Sequence, residues 1–404
     1  MSTIRKPVAF VLGLNVNGSG ILRSLARKEI RVVGFYSNSA ELGRHSKYGA
    51  AVYIDPTRIE ADFASMLIDV RSDYDQRPVL FSASDEFTLL LAKHREQLSE
   101  HFEYHWVSIE CLSGVIEKSR MSTISRKAGV LSPRTYVTER DEDVVRSASD
   151  FQFPCIVKPT RSFNTAFPAG KKCCVINSPE DLIDLYKKNP NLRGSTIWQE
   201  IIEGDDDQVF QCTVLMRKSG EMGAACTVRK LRQSPPWFGN MCFGRSEVDV
   251  GLIPESAKLL NYLQYRGLAS LEFKCSRKDS RWYFIEMNPR LPWYSSLFVA
   301  SGVNLPYLAY ADLTKDPEYA DENIKQKPHV HWISFAADLN SFLGRRSREA
   351  LSLWKWLRSV AKARSFAWMD WRDPIPFALA TLHLLRDVSR KLLKLMLRTT
   401  RPSE

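Results

Sequence analysis

Residues 284–293, Phe284-Ile-Glu-Met-Asn-Pro-Arg-Leu-Pro-Trp293, set an acid, an amide and an arginine on alternate positions: Glu286, Asn288 and Arg290. Successive side chains of a strand point to opposite faces, so Phe284, Glu286 and Asn288 are expected on one side and Ile285 and Met287 on the other. The apolar side suits burial, and the polar side suits a cleft. Just upstream, Leu268-Ala-Ser-Leu-Glu-Phe-Lys-Cys275 reads as a second strand, with Ser276–Arg281 as the turn between them. Paired as a hairpin, the two strands would bring Glu272 opposite Glu286.

Two carboxylates that close repel each other and raise one pKa unless positive charge lies between them. Glu272, Glu286 and Asn288 together offer only oxygen donors, the set that suits Mg²⁺, or Mn²⁺ in its place, and such an ion also takes oxygens from phosphates. The plainer reading is a solvated strand face on which Glu286 pairs with Arg290. Spacing alone leaves both readings open.

The rest of the chain bounds the answer. Its 404 residues suffice for more than one domain, and 44% hydrophobic residues is ordinary for a soluble protein. Eight cysteines are scattered with no C-x-x-C pair, which reads as a reduced, cytosolic pattern without a disulfide frame or zinc site. The N-terminal Val8–Leu12 run is too short for a signal-peptide core, and no stretch of about 18 apolar residues is present to span a membrane. The net charge of +11 is uneven: from Ser341 to Glu404, fourteen Lys or Arg face five Asp or Glu, giving +9 and leaving +2 for the 340 residues before. The basic character belongs to a tail, so the body does not read as a nucleic-acid binder.

Strand and helix signals alternate through the first hundred residues: Val8–Leu12, helix 20–28, Val32–Tyr36, helix 61–72, Val79–Phe81, helix 87–98. That order predicts a parallel sheet. The turn Gly13-Leu-Asn-Val-Asn-Gly-Ser-Gly20 is a weak dinucleotide fingerprint, because Asn15 replaces a glycine and Tyr36–Ala40 lacks the acid that would hold a ribose. It is expected to be a glycine-rich turn that helps hold a substrate. Asp85 is expected to cap the helix that follows, with a substrate contact as the alternative. Lys118 opens a helix stopped near Gly129 and Pro133. Lys158 ends the strand Phe153–Pro159, where it is either a snorkelling surface lysine or a phosphate binder.

The motifs, taken in order, resemble the ATP-grasp superfamily: Lys118, I-V-K-P at 156–159, Q-E-I-I-E-G-D-D at 199–206, R-K-L-R-Q at 229–233, L-E-F-K at 271–274, I-E-M-N-P-R at 285–290 and A-S-G-V-N-L-P at 300–306. The resemblance spans roughly residues 5–315 and is greatest to the carboxylate–amine ligase branch, which includes D-aspartate ligase and the ATP-binding halves of carbamoyl phosphate synthase. It implies an α/β Rossmann-like parallel-sheet domain (1–115), an α+β ATP-grasp domain (116–315) with a lid subdomain at about 135–200, and a basic, aromatic-rich helical tail (316–404). ATP and Mg²⁺ are the implied cofactors, and a small carboxylate and an amine the implied substrates. By position in the motifs, the strand of Glu200 and Ile202 reads adenine, Asp206 receives ribose hydroxyls, and Lys118 and Lys158 contact adenine and phosphates. Glu272, Glu286 and Asn288 correspond to the metal ligands. Arg290 faces the transferred phosphoryl group, and Lys230 with Arg232 adds charge there or at the substrate carboxylate. The reaction so implied is amide formation through an acyl phosphate; an ATP-grasp kinase or a non-catalytic nucleotide-binding module is the alternative. No protein nucleophile is required, in keeping with the lack of a Ser-His-Asp or Cys-His signature.

Two parts depart from the pattern. The loop after Lys158 holds one glycine, Gly170, among Phe163, Phe167 and Pro168, where backbone N–H groups would ordinarily close over phosphates. Ser234-Pro-Pro-Trp-Phe-Gly239 is either part of an acceptor pocket or a structural turn. In the tail, residues 377–401 form a basic amphipathic helix on a wheel, with Leu384, Leu385, Val388, Leu392, Leu395 and Met396 opposite Arg386, Arg390, Lys391, Lys394, Arg398 and Arg401. Packing on the body, self-association into a homo-oligomer, peripheral contact with the inner face of a membrane and gripping a polyanionic substrate are its expected uses.

Overall fold

The computed structural model describes residues 6–148, 151–161, 173–249, 251–316, 324–346 and 351–399. Four strands, β1 (Ala9–Leu12), β2 (Val32–Tyr36), β3 (Ala50–Tyr53) and β4 (Val79–Ser82), form a parallel sheet in the order β3-β2-β1-β4. β1 and β4 are buried along their whole length, as strands covered on both faces must be. The helix after β1 runs Val16–Ala26, starting four residues before the expected Gly20, because the Asn15 side chain accepts from the N–H groups of Asn17 and Gly18 and caps it. Tertiary packing overrides the poor helix propensity of Asn17-Gly18-Ser19-Gly20. A Cβ at Gly18 would lie 1.7 Å from the Gly13 carbonyl oxygen, and one at Gly20 would lie 2.2 Å from Ser295 Oγ. Close approach, rather than a phosphate cradle, accounts for these two glycines.

A second sheet, β5 (Thr135–Val137), β6 (Cys155–Pro159), β7 (Cys174–Ile176) and β8 (Thr196–Glu200), is antiparallel in the order β5-β8-β6-β7. It closes on its own core around Val157, Leu182, Tyr186 and Trp198. The third sheet has seven strands in the order β13-β12-β9-β10-β11-β14-β15. These are β9 (Val209–Met216), β10 (Met222–Ser234), β11 (Asn240–Ser246), β12 (Gly267–Cys275), β13 (Trp282–Asn288), β14 (His331–Ile333) and β15 (Ala363–Phe366). The segment expected to be helical beyond residue 315 thus also supplies two strands to the central sheet. They are short, and only the pairing of β14 with β11 and of β15 with β14 makes them strands. One continuous core runs from Ala9, Val11 and Leu22 of the first domain to Leu297, Tyr307, Tyr310 and Trp332 of the last.

β12 and β13 pair antiparallel with Glu272 opposite Glu286 and Ser270 opposite Asn288, as the hairpin reading requires. The alternation is not strict, however. The register shifts between Glu272 and Phe273, so that Phe273 meets Phe284 and Ile285 is left over as a bulge. Phe284 is therefore not on the Glu286 side: it is 2% exposed and packs with Phe273 and Met287 in the core. The bulge leaves Glu286 and Asn288 turned to the cleft.

Candidate active site

Three adjacent strands carry a row of polar residues: Glu286 on β13 opposes Glu272 on β12, which opposes Gln211 on β9. Directly opposite side chains stand about 5 Å apart at Cβ, so the two acids would repel without counter-charge. Lys230 of β10 supplies it. Its ammonium, nearly fully buried, lies 2.6 Å from Glu272 Oε2 and donates to Gln233 Oε1 at 3.4 Å. Gln211 Nε2 donates to the same Glu272 oxygen at 2.6 Å, while the buried Gln211 Oε1 meets no donor. An orphaned amide oxygen beside two carboxylates is a donor set that fits a hard divalent cation.

Two more lysines converge on Glu286. Lys118 begins the helix Lys118–Lys127, and its backbone N–H donates to Thr160 O at 3.0 Å, tying that helix to the end of β6. Lys158 lies on β6, where Cys155 and Val157 are buried in the core of the second sheet and alternation turns Lys158 to the opposite face. Burial alone would push the Glu286 carboxyl up, but Lys118, Lys158 and Lys230, with a hydrogen bond from Asn288, hold it below the usual range. Burial lowers Lys118, and Glu286 and Asp85 offset part of that. Burial and the nearby Lys118 charge lower Lys158 to about 8, against the pull of Glu286 and Glu272. Cationic groups packed this closely make the local field favourable to an incoming polyanion.

Asp85, Lys118, Met121, Glu286 and Asn288 line one shallow cleft. Arg290 stands at its border. Its Nε donates to Asp85 Oδ1 at 2.8 Å, and it also borders a second cleft lined by Ser82, Tyr104, His105 and Arg266. Asp85 is thus not the helix cap: Ser84 Oγ accepts from Phe87 N–H at 3.2 Å and performs that task, which leaves the Asp85 carboxylate for Arg290. Asn17 of the first helix donates to Ala83 O at 3.2 Å and Leu291 O at 3.1 Å, which anchors the Arg290 turn to the parallel-sheet domain.

The remaining expected residues divide. Glu200 ends β8 and its carboxylate accepts from Arg134 N–H at 3.2 Å; Ile202 is buried. Asp206 is 4% exposed, and Gln233 holds both its oxygens, from the backbone at 3.1 Å and from Nε2 at 2.8 Å. The 234–239 stretch is the turn between β10 and β11, and its Trp237 carbonyl accepts from Gln233 at 3.2 Å, beside Asp206. Arg232 does not join Lys230. The pairing of β10 with β11 slips between Lys230 and Arg232 and again before Gln233, and the bulge sends the guanidinium to the other side. There Arg232 donates to both Asp338 oxygens at 2.7 and 2.9 Å and to Ser359 Oγ at 2.9 Å, over the Phe243 ring. The expected lid loop, residues 162–172, lies outside the described residues.

Three contributors escaped the sequence reading. Gln211 is a lone amide in the apolar run Val209–Met216, which is the signal that could have exposed it. Gln233 closes the R-K-L-R-Q motif but was given no role there, and Asp338 carried no motif.

A parallel four-stranded sheet, a separate antiparallel four-stranded sheet and a seven-stranded central sheet carrying a pair of acids beside Lys230 make up an ATP-grasp fold. No protein-family model matches the chain. D-aspartate ligase of Enterococcus faecium (strain Aus0004) is 22% identical over 315 residues, 74% of each chain. Among solved structures, an L-amino acid ligase from Bacillus licheniformis superposes with a TM-score of 0.60 at 14% identity, covering 81% of this chain and 79% of that one. The biotin carboxylase domain dimer of Hydrogenobacter thermophilus 2-oxoglutarate carboxylase, in complex with MgADP and bicarbonate, superposes with the same TM-score at 15% identity, over 81% and 74% of the two chains. The chain has the ATP-grasp fold, and its sequence is similar to that of a D-aspartate ligase.

Proposed function

We propose that this protein is an ATP-dependent ligase that joins a carboxylate to an amine. The observation that carries the reading is the convergence of Lys118, Lys158 and Lys230 on Glu286, beside Glu272 and Asn288, at a cleft bordered by Arg290. ATP lies in this cleft with adenine against the β8 backbone at Glu200 and Ile202, and its ribose toward Asp206 and Gln233. Lys118 and Lys158 act as point charges on the phosphates. Glu272, Glu286 and Asn288 would hold Mg²⁺, which when bound neutralises phosphate oxygens.

The substrate carboxylate enters from the second cleft, with Arg290 between it and the γ-phosphate. A carboxylate oxygen attacks the γ-phosphorus, the bond from that phosphorus to the ADP oxygen breaks, and ADP leaves an acyl phosphate. The amine nitrogen then attacks the acyl carbon, phosphate departs, and the amine gives up a proton as the amide forms. The chain's part is to bring two anions together and hold them in line. Asp85 fixes the Arg290 guanidinium for that purpose.

The test is a screen for ADP release from the purified protein with ATP, Mg²⁺ and amino acids, singly and in pairs with amines, followed by mass spectrometry of products. ADP release that needs both a carboxylate and an amine, with an amide product, is the expected result. Release with a hydroxyl compound alone and a phosphorylated product would show a kinase instead.

A further inference from the structure

We propose that the C-terminal helix Pro374–Thr399 and the turn leading into it dock on a membrane surface rich in anionic lipid headgroups, with the helix lying in the plane of that surface. Trp371, just before the helix, is 84% exposed, and Leu382 and Leu385 on it are 42% and 59% exposed. Large apolar side chains so exposed on consecutive parts of one element call for a partner. Helical spacing sets Leu382 and Leu385 on one side and the exposed Arg386 and Arg390 on the adjoining side.

The charge selects the partner. Between Leu353 and Arg390, every described exposed Asp, Glu, Lys or Arg is a Lys or Arg. Of the three acids in that span, Asp370 and Asp373 are buried, and Asp387 follows Arg386 on the helix. Asp370 accepts from Arg27 at 2.6 Å, and Asp373 from Ser46 Oγ at 2.6 Å and Lys47 N–H at 3.0 Å. The same contacts fix the base of the helix to the parallel-sheet domain, while Thr381, Leu382, Leu385, Arg386 and Arg390 on it are exposed. The helix thus presents exposed apolar side chains beside exposed arginines, the pattern of an interfacial helix. A second copy of this chain would bring like charges together. No helix among the described residues is long and apolar enough to cross a membrane, so the contact lies on the surface.

The test is co-sedimentation of the full chain with vesicles of phosphatidylcholine alone and of phosphatidylcholine mixed with phosphatidylglycerol. Binding is expected to the mixed vesicles only, and to weaken with salt as screening shortens from about 30 Å at 0.01 M to about 3 Å at 1 M. The double substitution Leu382→Glu and Leu385→Glu is expected to lower partition at least about a hundredfold, with melting temperature and ADP release unchanged. Arg386→Glu with Arg390→Glu is a second variant, expected to remove the preference for phosphatidylglycerol. No binding by the intact protein, equal binding to both vesicles, or binding indifferent to both double variants overturns the proposal. So does a concentration-dependent dimer that the leucine substitutions dissociate, because the face would then belong to a second copy.

Discussion

Removing the Asp338 carboxylate by Asp338→Ala tests whether the C-terminal segment holds the site in shape. Asp338 is fully buried and receives both Arg232 nitrogens, the Trp356 indole N–H at 2.8 Å and the Cys242 thiol at 3.5 Å. Taking one partner from a buried ion pair costs about 3–5 kcal/mol, because the other charge is left without compensation. At about 2.1 cal/mol/K per residue, a 404-residue chain unfolding as one unit has an entropy near ~0.85 kcal/mol/K, so Tm should fall by about 4–6 °C. The damage should also reach nucleotide binding. Ser341, on the same helix as Asp338, donates to Gln233 O at 2.7 Å, and Gln233 holds Asp206 while Lys230, three residues before it, holds Glu272. A rise in KM for ATP is therefore expected, absent from a core variant of similar cost such as Leu67→Ala in the parallel-sheet domain. The decisive partner is Arg232→Met with Asp338→Leu, since apolar replacement of a buried pair is often neutral or stabilising by about 1–4 kcal/mol. If that double variant melts like the parent but has lost turnover, Arg232 takes part in the chemistry and its assignment to structure is wrong.

Other predictions bear on the cleft itself. Glu286→Gln should cut ADP release by at least about a hundredfold while circular dichroism stays unchanged; an unaltered rate would place the chemistry elsewhere. Asp85→Ala should lower kcat about ten- to a hundredfold by letting the Arg290 guanidinium turn, with little change in KM for ATP, as steady-state kinetics would report. With a folded-state pKa of about 8, below its ordinary 10.5, Lys158 is largely neutral at pH 9 in the free protein and regains its proton beside bound phosphates. Calorimetry at pH 9 in buffers of different ionisation enthalpy should show proton uptake on nucleotide binding, and Lys158→Met should abolish it. The same depressed value means that the unfolded chain binds more protons between about pH 8 and 10.5, so this group's contribution to stability rises with pH across that window.

The local sequence was a good guide wherever a residue's neighbours in the chain fix its direction. The hairpin that sets Glu272 against Glu286 follows from two strand-forming runs and a turn, and the parallel sheet follows from the alternation of its segments. The order of weak motifs pointed to the superfamily because their spacing is a property of the chain itself. Alternation failed at bulges, where one extra residue reverses every later side chain. Phe284 went to the core and Arg232 away from the cleft for that reason, and no propensity rule places a bulge.

What the amino-acid sequence by itself determined is the set of chemical groups and the strands that carry them: oxygen donors near residue 286, lysines at 118, 158 and 230, and a basic tail. Only the tertiary structure decided which charges meet. Asp85 belongs to Arg290 and Asp338 to Arg232, across 205 and 106 residues of chain, and β14 is a strand only because β11 offers it an edge, as β14 in turn does for β15. Such pairings arise from close packing and from the cost of leaving a buried charge alone, and both act on neighbours in space, whatever their distance along the chain.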